Sequence, residues 1–544
     1  MAKVTGGEAV VHTLIERGVD TLFALPGVQN DHLFAALYDR RDELRVLHTR
    51  HEQGAAYMAL GYALTADKPG VFSVVPGPGL LNASAALSTA YARNARVLCL
   101  TGQLRTAEIG RGFGLLHELP DQLGILRGLT KWAARVPSAP EAPRFIAAAY
   151  EQMLSGRTRP VGLEIPSDVL AASAEVDLSA RPLDIYRPPV NPDAIDAAAK
   201  LLAEAKRPAI FIGGGALDAG DELQTLAELL QAPICATYNG RGIVSDRHDY
   251  SLTLTGGHKV WETADAVLAV GTRLQSPLLN WGYDDDLRIV RIDIDPEEHG
   301  RITPPAVSIL ADAKEALAAL IPAVEKRSPV RPSRRDELRS LKAEVQARMD
   351  RLEPQMSYVR VIREELPDDG FYVEEMTQIS YVARYAMPFY RPRTCVTTGY
   401  QGTLGWGFPT ALGVKAANPD KPVLSVTGDG GFLFGATELA TAVQHKIPVV
   451  TLLFNDGAYG NVRRTQKESY NNRIIATDLA NPDFVKLAEA FGAQGLRAHS
   501  PEEVRAAIRR GFAAGVPTLV DIPVGEMPNP WGAFFAPRIR PCRT

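Results

Sequence analysis

The chain has 544 residues, 46% of them hydrophobic, and a formal net charge of −4. This length suits about three domains, and the scattered Lys and Arg residues exclude the strongly basic surfaces that bind nucleic acid or anionic membranes. We therefore expect a small-molecule substrate, with neither a nucleic-acid nor a membrane partner.

Cysteine usage indicates the compartment. The four Cys residues lie far apart without a CxxC pair, which argues against a zinc site and against a disulfide framework. A reducing cytoplasm is the expected location.

Short β-branched runs alternate with Ala- and Leu-rich helical stretches along the whole chain. This alternation predicts βαβ units and parallel sheets, which is the α/β fold class. Two interruptions, a proline-rich one at 176–192 and a charged one at 326–354, read as inter-domain connections. The predicted strands are residues 71–75, 97–100, 209–212, 266–270, 423–427 and 449–454. The chain should thus form three consecutive open parallel-sheet domains, at 1–178, 190–328 and 350–544.

In the first block, Glu52 precedes a segment that is almost wholly apolar from Gly54 to Leu64. Such a segment predicts a buried helix, and a buried carboxyl needs a partner or a raised pKa. A plain helix-start Glu, favoured by the helix dipole, is the alternative.

In the central block, Gly213, Gly214 and Gly215 follow a predicted strand. Asp218 stands where the dinucleotide motif GxGxxG requires its third glycine, so a tight turn is the favoured interpretation.

The third block contains the most informative stretch, residues 421–464. It predicts a strand, a glycine-rich turn, a helix and a second strand. The helix should carry one apolar face formed by Ala436, Leu439, Ala440 and Val443. Asp429 and Asp456, 27 positions apart, follow the two strands, so parallel strands bring both to the same sheet edge.

Two carboxylates on neighbouring strands, ~5 Å apart, can share one cation. Mg²⁺ prefers hard oxygen ligands and often completes its shell with phosphate oxygens. Gly428, Gly430 and Gly431 let backbone N–H groups approach an anion at a helix start. Either fragment alone would read as a turn, but the pair at strand ends predicts one metal and phosphate site.

GDG followed by ND resembles the signature of thiamine-diphosphate enzymes. The surrounding sequence resembles the acetolactate synthase and pyruvate decarboxylase superfamily along nearly the whole chain, and most of all acetolactate synthase large subunits, notably in ATDLANPDFVKLAEAFG. The resemblance implies pyrimidine-binding, central and diphosphate-binding domains, with thiamine diphosphate and Mg²⁺ as cofactors. It implies Asp429, Asp456 and the carbonyl of Ala458 as the metal ligands.

The same resemblance assigns the other cofactor contacts. Glu52 matches the residue that hydrogen-bonds the aminopyrimidine N1′ and promotes loss of the thiazolium C2 proton. Leu404 matches the apolar wedge that bends the cofactor, with an ordinary core residue as its alternative, and the carbonyl of Gly402 would accept from the 4′-amino group. Thr377 and Gln378 match a loop that contacts the diphosphate. Because pyrimidine and diphosphate bind to different chains in this family, we expect at least a homodimer, and a homotetramer is favoured.

The reaction type is less constrained. His117, a candidate catalytic residue, and Val28 fit neither the decarboxylase nor the synthase pattern fully. Val28 offers no acid to protonate a carbanion, which favours ligation to a second carbonyl. By resemblance the acceptor pocket also includes Asn461, Val462 and Thr465. We expect a 2-oxo acid donor and a carbonyl acceptor.

Three features keep alternatives open. The tail with Trp531, Phe534 and Phe535 could close over the site or pack against a partner. Lys131 matches a lysine near the cleft, with a solvated surface lysine as the alternative. Synthases of this family bind a flavin in the central domain, but their GMHG stretch reads TGGHK here (255–259), so FAD is left open.

The principal prediction is an acetolactate synthase-like carboligase. The alternatives are a 2-oxo acid decarboxylase that releases an aldehyde, a flavin-dependent 2-oxo acid oxidase and a non-catalytic cofactor-binding relative.

Overall fold

The computed structural model of the protein describes residues 1–541, and Cys542 lies outside the described residues. Three six-stranded parallel sheets follow one another along the chain, and helices connect their strands. The predicted α/β class with three consecutive parallel-sheet domains is confirmed. Within residues 1–541, none of the helices combines the length and the apolar character needed to cross a membrane.

The first domain is built on a sheet covered by helices on both faces. Its strands are β1 (Ala2–Thr5), β2 (Thr21–Ala24), β3 (Arg45–His48), β4 (Gly70–Val74), β5 (Val97–Gln103), β6 (Trp132–Arg135), β7 (Val161–Pro166) and β8 (Ser173–Val176). Its helices are α1 (Gly6–Glu16), α2 (Asp31–Asp39), α3 (Glu52–Thr65), α4 (Pro78–Ala92), α5 (Gln122–Leu129), α6 (Ala142–Leu154) and α7 (Ser167–Ala171). The parallel sheet has the order β3-β2-β4-β5-β7-β6, and β1 pairs antiparallel with β8.

The central domain has the strand order β11-β10-β9-β12-β13-β14. Its strands are β9 (Pro208–Ile212), β10 (Ile234–Ala236), β11 (Ser251–Thr253), β12 (Ala266–Val270), β13 (Arg288–Asp293) and β14 (Val307–Leu310). Its helices are α8 (Pro192–Glu204), α9 (Gly220–Leu230), α10 (Leu254–Thr263) and α11 (Ala313–Glu325). A Cβ at Gly213 would lie 2.4 Å from the carbonyl oxygen of Gly271. The glycines after β9 therefore form the predicted turn and also permit close contact with the loop after β12.

The third domain has the strand order β16-β15-β17-β18-β20-β19. Its strands are β15 (Phe371–Glu374), β16 (Cys395–Val396), β17 (Val423–Gly428), β18 (Val450–Asn455), β19 (Gln494–Arg497) and β20 (Thr518–Pro523). Its helices, with the one that leads into the domain, are α12 (Arg335–Met349), α13 (Gln355–Glu365), α14 (Gln378–Ala386), α15 (Gly407–Ala417), α16 (Asp429–Leu433), α17 (Glu438–Gln444), α18 (Gly460–Ser469), α19 (Phe484–Ala490), α20 (Pro501–Ala514) and α21 (Trp531–Phe534).

The predicted single helix after the glycine-rich turn is wrong in its extent. A turn at 434–437 separates α16 from α17, so Ala436 lies before the helix. The buried face of α17 includes Glu438 and Thr441 beside Leu439 and Ala442. The predicted apolar face is therefore misplaced, because the helix begins only at Glu438 and buries polar side chains that the apolar pattern did not include.

The first and third domains share one strand order and a continuous apolar core. Helices α3 and α15, which occupy equivalent positions in the two domains, cross at glycines. A Cβ at Gly61 would lie 2.1 Å from the Thr410 carbonyl oxygen, and one at Gly413 would lie 1.9 Å from that of Met58. The two domains therefore contact each other backbone to backbone.

Candidate active site

Asp429 and Asp456 follow two neighbouring strands. β17 and β18 pair in parallel with Gly428 opposite Phe454, as the spacing predicted. Asp429 is 2% exposed, and its Oδ2 accepts hydrogen bonds from the Gly457 N–H at 3.0 Å and the Asn481 Nδ2 at 2.6 Å. The acid at the end of β17 is thus fixed in place from the segment after β18.

The two carboxyls lie close enough to affect each other's charge. Burial raises the pKa of Asp429, and burial together with the Asp429 charge raises the pKa of Asp456 to about 6. A divalent cation would relieve both effects. Within residues 1–541, no cluster of three or more His, Cys, Asp or Glu side chains could hold a metal. A cation here would therefore need oxygen ligands from the backbone, water or phosphate, which suits Mg²⁺.

The glycines between the two acids are required by close packing. A Cβ at Gly431 would lie 1.9 Å from Glu375 Oε1, and one at Gly430 would lie 2.7 Å from Tyr459 Cε1. Helix α16 has only five residues, so its dipole contributes less than the predicted longer helix would. The longer helix α18 begins beside Asp456, since a Cβ at Gly460 would lie 2.3 Å from its Oδ2.

A cavity of about 240 Å³ opens beside Asp456. It is lined by Gln378, Asp456, Ala458, Gly460, Arg463, Arg464, Lys467, Asn472, Ile474, Glu526 and Met527. The side-chain oxygen of Gln378 is buried without a hydrogen-bond partner. Thr377 caps α14, and its methyl group would lie 3.5 Å from a Cβ at Gly428. Unpaired polar groups, cationic side chains and the acids together fit a diphosphate bound through a metal ion.

Glu375, which the sequence did not single out, fixes the loop that carries Gly402 and Leu404. Its buried carboxylate accepts hydrogen bonds from the N–H groups of Gly405 at 2.7 Å and Gly407 at 3.1 Å, and from Thr427 Oγ1 at 3.0 Å. Gly402 is exposed with φ +58°, and Leu404 is only partly buried. Leu404 is therefore not an ordinary core residue.

Glu52 is the first residue of α3. The helix is buried from Gly54 to Ala63, as predicted, but Glu52 itself is only partly buried. Its Oε2 accepts a hydrogen bond from Asn82 Nδ2 at 2.9 Å. The carboxyl group therefore lies at the edge of the domain surface, next to an exposed amide on α4.

Val28 and His117 come together in the first domain through Gln29. His117 Nδ1 donates to Gln29 Oε1 at 2.9 Å, and Gln29 Nε2 donates to the Leu116 carbonyl at 3.0 Å. His117 has φ +68°, and Val28 is 66% exposed. The neighbouring Glu118 is turned into its own loop, where the Leu115 N–H lowers its pKa. Val28 therefore presents an exposed apolar side chain next to Gln29, which holds His117.

Asn461, Val462 and Thr465 lie on α18, next to the C-terminal segment. Trp531 Nε1 donates to Asn461 Oδ1 at 3.1 Å, and the Trp531 ring packs on Tyr381 with centroids 4.7 Å apart. Phe534 stacks on Tyr385 at 4.2 Å. The tail therefore packs on its own chain beside Asn461, while Val462 and Phe535 are more than half exposed.

Lys131 is not the solvated lysine of the alternative interpretation. It is half-buried, and its Nζ donates to the carbonyls of Ser155 at 2.6 Å and Arg157 at 2.9 Å. Lys131 thereby holds the loop that carries Arg157. The Arg157 guanidinium lies at the edge of the central sheet, 3.0 Å from the Asp295 carboxylate and 2.7 Å from that of Glu298. Residues 293–298 of the central domain therefore form an ion-pair cluster with Arg157 of the first domain.

The predicted residues fall into separate groups within one chain. Among residues 1–541, no hydrogen bond or ion pair joins Glu52 or His117 to Asp429, Asp456 or Gln378. The supporting residues that the sequence did not reveal are Gln29, Asn82, Glu375 and Asn481. Of these, only Asn481 carried a signal, because it lies in the synthase-like stretch ATDLANPDF.

Comparison with known protein families gives three consecutive matches. Residues 4–125 match the N-terminal TPP binding domain of thiamine pyrophosphate enzymes, residues 195–320 match their central domain, and residues 375–522 match their C-terminal TPP binding domain. Each match falls on one of the three sheets of the structure.

Curated relatives are similar over nearly their whole length. The probable 2-ketoarginine decarboxylase AruI of Pseudomonas aeruginosa is 36% identical over 95% of this chain and 94% of its own. The probable acetolactate synthase large subunit of Methanocaldococcus jannaschii is 33% identical over 95% and 91%, and the acetolactate synthase large subunit of Corynebacterium glutamicum is 32% identical over 97% and 88%. The chain therefore belongs to the thiamine pyrophosphate enzymes, in the group that contains the acetolactate synthase large subunits.

Proposed function

We propose that the protein decarboxylates a 2-oxo acid and transfers the resulting acyl unit to a second carbonyl compound, as an acetolactate synthase-like carboligase that uses thiamine diphosphate and Mg²⁺. The observation that carries the proposal is the pairing of Asp429 and Asp456 at adjacent strand ends, beside a cavity that also includes Gln378. This arrangement combines metal ligands with a polar space for a diphosphate.

Each group has a proposed task. Asp429, Asp456 and the Ala458 carbonyl would hold Mg²⁺, and Gly428, Gly430, Gly431, Thr377 and Gln378 would hold the diphosphate. Glu52 would hold the aminopyrimidine, with Gly402 and Leu404 on its other side. The cofactor supplies the electron sink that stabilises a carbanion next to the former carbonyl carbon.

The remaining residues would determine whether the carbanion is protonated or attacks a second carbonyl. Val28 presents a methyl-bearing surface instead of a proton donor, which favours attack on a second carbonyl over protonation. His117, held by Gln29, would be the proton-transferring group beside it. Asn461, Val462 and Thr465 would shape the acceptor pocket under Trp531.

A homodimer is part of the proposal, and a homotetramer would contain two of them. Among residues 1–541 no hydrogen bond or ion pair joins Glu52 to Asp429 or Asp456. Leu81, which precedes the Asn82 that binds Glu52, is exposed, and so is Phe434. Exposed apolar side chains beside an incomplete site favour completion by a second copy.

A second candidate is a decarboxylase that releases an aldehyde. It is supported by the 36% identity to the probable 2-ketoarginine decarboxylase over nearly the whole chain. In that reaction a proton, instead of a second carbonyl carbon, is added to the reacting carbon.

The two candidates are separable in one experiment. The protein is incubated with thiamine diphosphate, Mg²⁺ and a panel of 2-oxo acids that includes pyruvate and 2-ketoarginine, with and without an added aldehyde. The carboligase should release carbon dioxide and form a condensation product, whereas the decarboxylase should release aldehyde and carbon dioxide in equal amounts. Absence of both, with magnesium-dependent cofactor binding intact, would support a non-catalytic relative and refute the proposal.

A further inference from the structure

A buried carboxylate of the third domain holds the turn that leads into Glu52. Glu438 is 1% exposed, and it accepts hydrogen bonds from the backbone N–H groups of Arg50 at 3.1 Å and His51 at 3.0 Å. Thr441 Oγ1 donates to the same carboxylate. Within residues 1–541 no ion pair involves Glu438, so hydrogen bonds provide its compensation for burial.

The fit around this carboxylate is close on the side of α3. A Cβ at Gly54 would lie 2.4 Å from Glu438 Oε1, so the carboxylate occupies the space that any other residue at position 54 would need. The Glu438 carboxylate is therefore in close contact with both the turn before Glu52 and the first turn of α3.

The other end of α17 reinforces the contact. His445 Nε2 donates to the His48 carbonyl at 3.1 Å, and the two imidazole rings meet edge to face with centroids 4.8 Å apart. Arg50 also reaches Gln444 through its guanidinium at 3.3 Å. Residues 48–54 are therefore held from both ends of one helix.

Two N–H groups directed at one charged acceptor fix the backbone direction at Arg50 and His51 more tightly than a neutral acceptor would. The direction of these two residues sets where the following carboxyl group points, because Glu52 is the next residue and the first of α3. A displacement of about 1 Å at a reacting group can cost on the order of 100-fold in rate.

We propose that Glu438 is a positioning residue that aims Glu52 at the cofactor. The inference rests on the proposed function of Glu52. Glu438 would not touch the cofactor and would act only through the turn at 50–51.

The test compares Glu438→Gln with the wild type as the full-length protein. A glutamine keeps the size of the side chain but loses the charge and offers one acceptor oxygen in place of two. In the cofactor-free protein, amide hydrogen exchange of the segment 48–54 should be faster by roughly tenfold. With Mg²⁺, the calorimetric Kd for thiamine diphosphate should stay within about twofold, while exchange of its C2 proton, followed by NMR, should slow by roughly tenfold to 100-fold.

Two further variants make the result unambiguous. Gly54→Ala displaces the intact carboxylate sterically and should slow C2-proton exchange in the same direction. Glu365→Gln changes a glutamate on α13 that pairs with Arg505 and Arg509, and it should leave both exchange rates at the wild-type level.

Glu52→Gln is measured beside them. If it slows C2-proton exchange while Glu438→Gln and Gly54→Ala do not, the positioning role is overturned and the proposed function stands. If Glu52→Gln itself exchanges at the wild-type rate, the role of Glu52 fails and the proposed function fails with it.

Discussion

Replacing Glu375 should change the pH dependence of stability. Its carboxyl is fully buried beneath the loop at 405–407, and burial raises its pKa from 4.5 to about 7, while the N–H groups of Gly405 and Gly407 and the Thr427 hydroxyl partly oppose that shift. In the unfolded chain the group loses its proton near pH 4.5. Between these two pH values the folded protein binds more protons than the unfolded chain, so stability must fall as the pH rises.

The size of this effect follows from the pKa difference. At about 1.4 kcal/mol per pKa unit, the charged carboxylate costs the folded state roughly 3 kcal/mol above pH 7 relative to pH 4.5. Glu375→Gln cannot ionise and lacks this pH-dependent cost. The difference in unfolding free energy, variant minus wild type, should therefore increase by roughly 2.5 kcal/mol between pH 5 and pH 8.

Urea unfolding of the cofactor-free protein at a series of pH values measures that difference. Glu375→Gln should also lose a constant amount of unfolding free energy at every pH, because its amide accepts hydrogen bonds from fewer of the three donors than the carboxylate does. Glu365→Gln serves as the control. Arg509 and Arg505 lower the pKa of Glu365, so the stability that its ionisation contributes is fully present above about pH 5. Above that pH, the difference in unfolding free energy between this variant and the wild type should not change. Parallel curves for wild type and Glu375→Gln would refute the reasoning.

Three other predictions concern the metal site, the wedge and the domain contact. Asp429→Ala should abolish magnesium-dependent binding of thiamine diphosphate in calorimetry. Asp456→Asn should retain it, because the amide keeps an oxygen ligand and no longer repels Asp429. Binding by Asp429→Ala at the wild-type level would contradict the metal site. Leu404→Ala should reduce turnover by roughly tenfold, because the cofactor would be misplaced. The Tm should change little, since Leu404 is only partly buried. Turnover at the wild-type level would contradict the assignment of Leu404 as a wedge. Gly61→Ala should destabilise the protein by about 1–3 kcal/mol, because its Cβ would lie 2.1 Å from the Thr410 carbonyl oxygen, whereas Gly525→Ala, with open space around it, should leave Tm unchanged.

The sequence predicted the features that depend on local pattern. Strands read from β-branched runs lie where expected, and the acids after β17 and β18 meet because neighbouring parallel strands end at one edge. Leu404 was singled out only by resemblance, since an isolated leucine in a glycine-rich loop has no periodic pattern that predicts its exposure.

The supporting acids could not be predicted because their burial is a long-range property. Glu375 belongs to a charged pair, EE, that reads as solvent-facing, yet its partners Gly405 and Gly407 lie about thirty residues away. Glu438 reads as a polar residue on a surface helix, and its partners lie nearly four hundred residues away in another domain. A single sequence contains no local signal that joins such distant groups.

The crossing of α3 and α15 has a consequence for movement. Where main chains touch without intervening side chains, no rotamer change can absorb a displacement, so sliding one helix over the other would collide with carbonyl groups at Thr410 and Met58. The outer two domains should behave as one rigid body during turnover. We expect small molecules to enter and leave by movement of shorter elements, such as the exposed loop around Phe113.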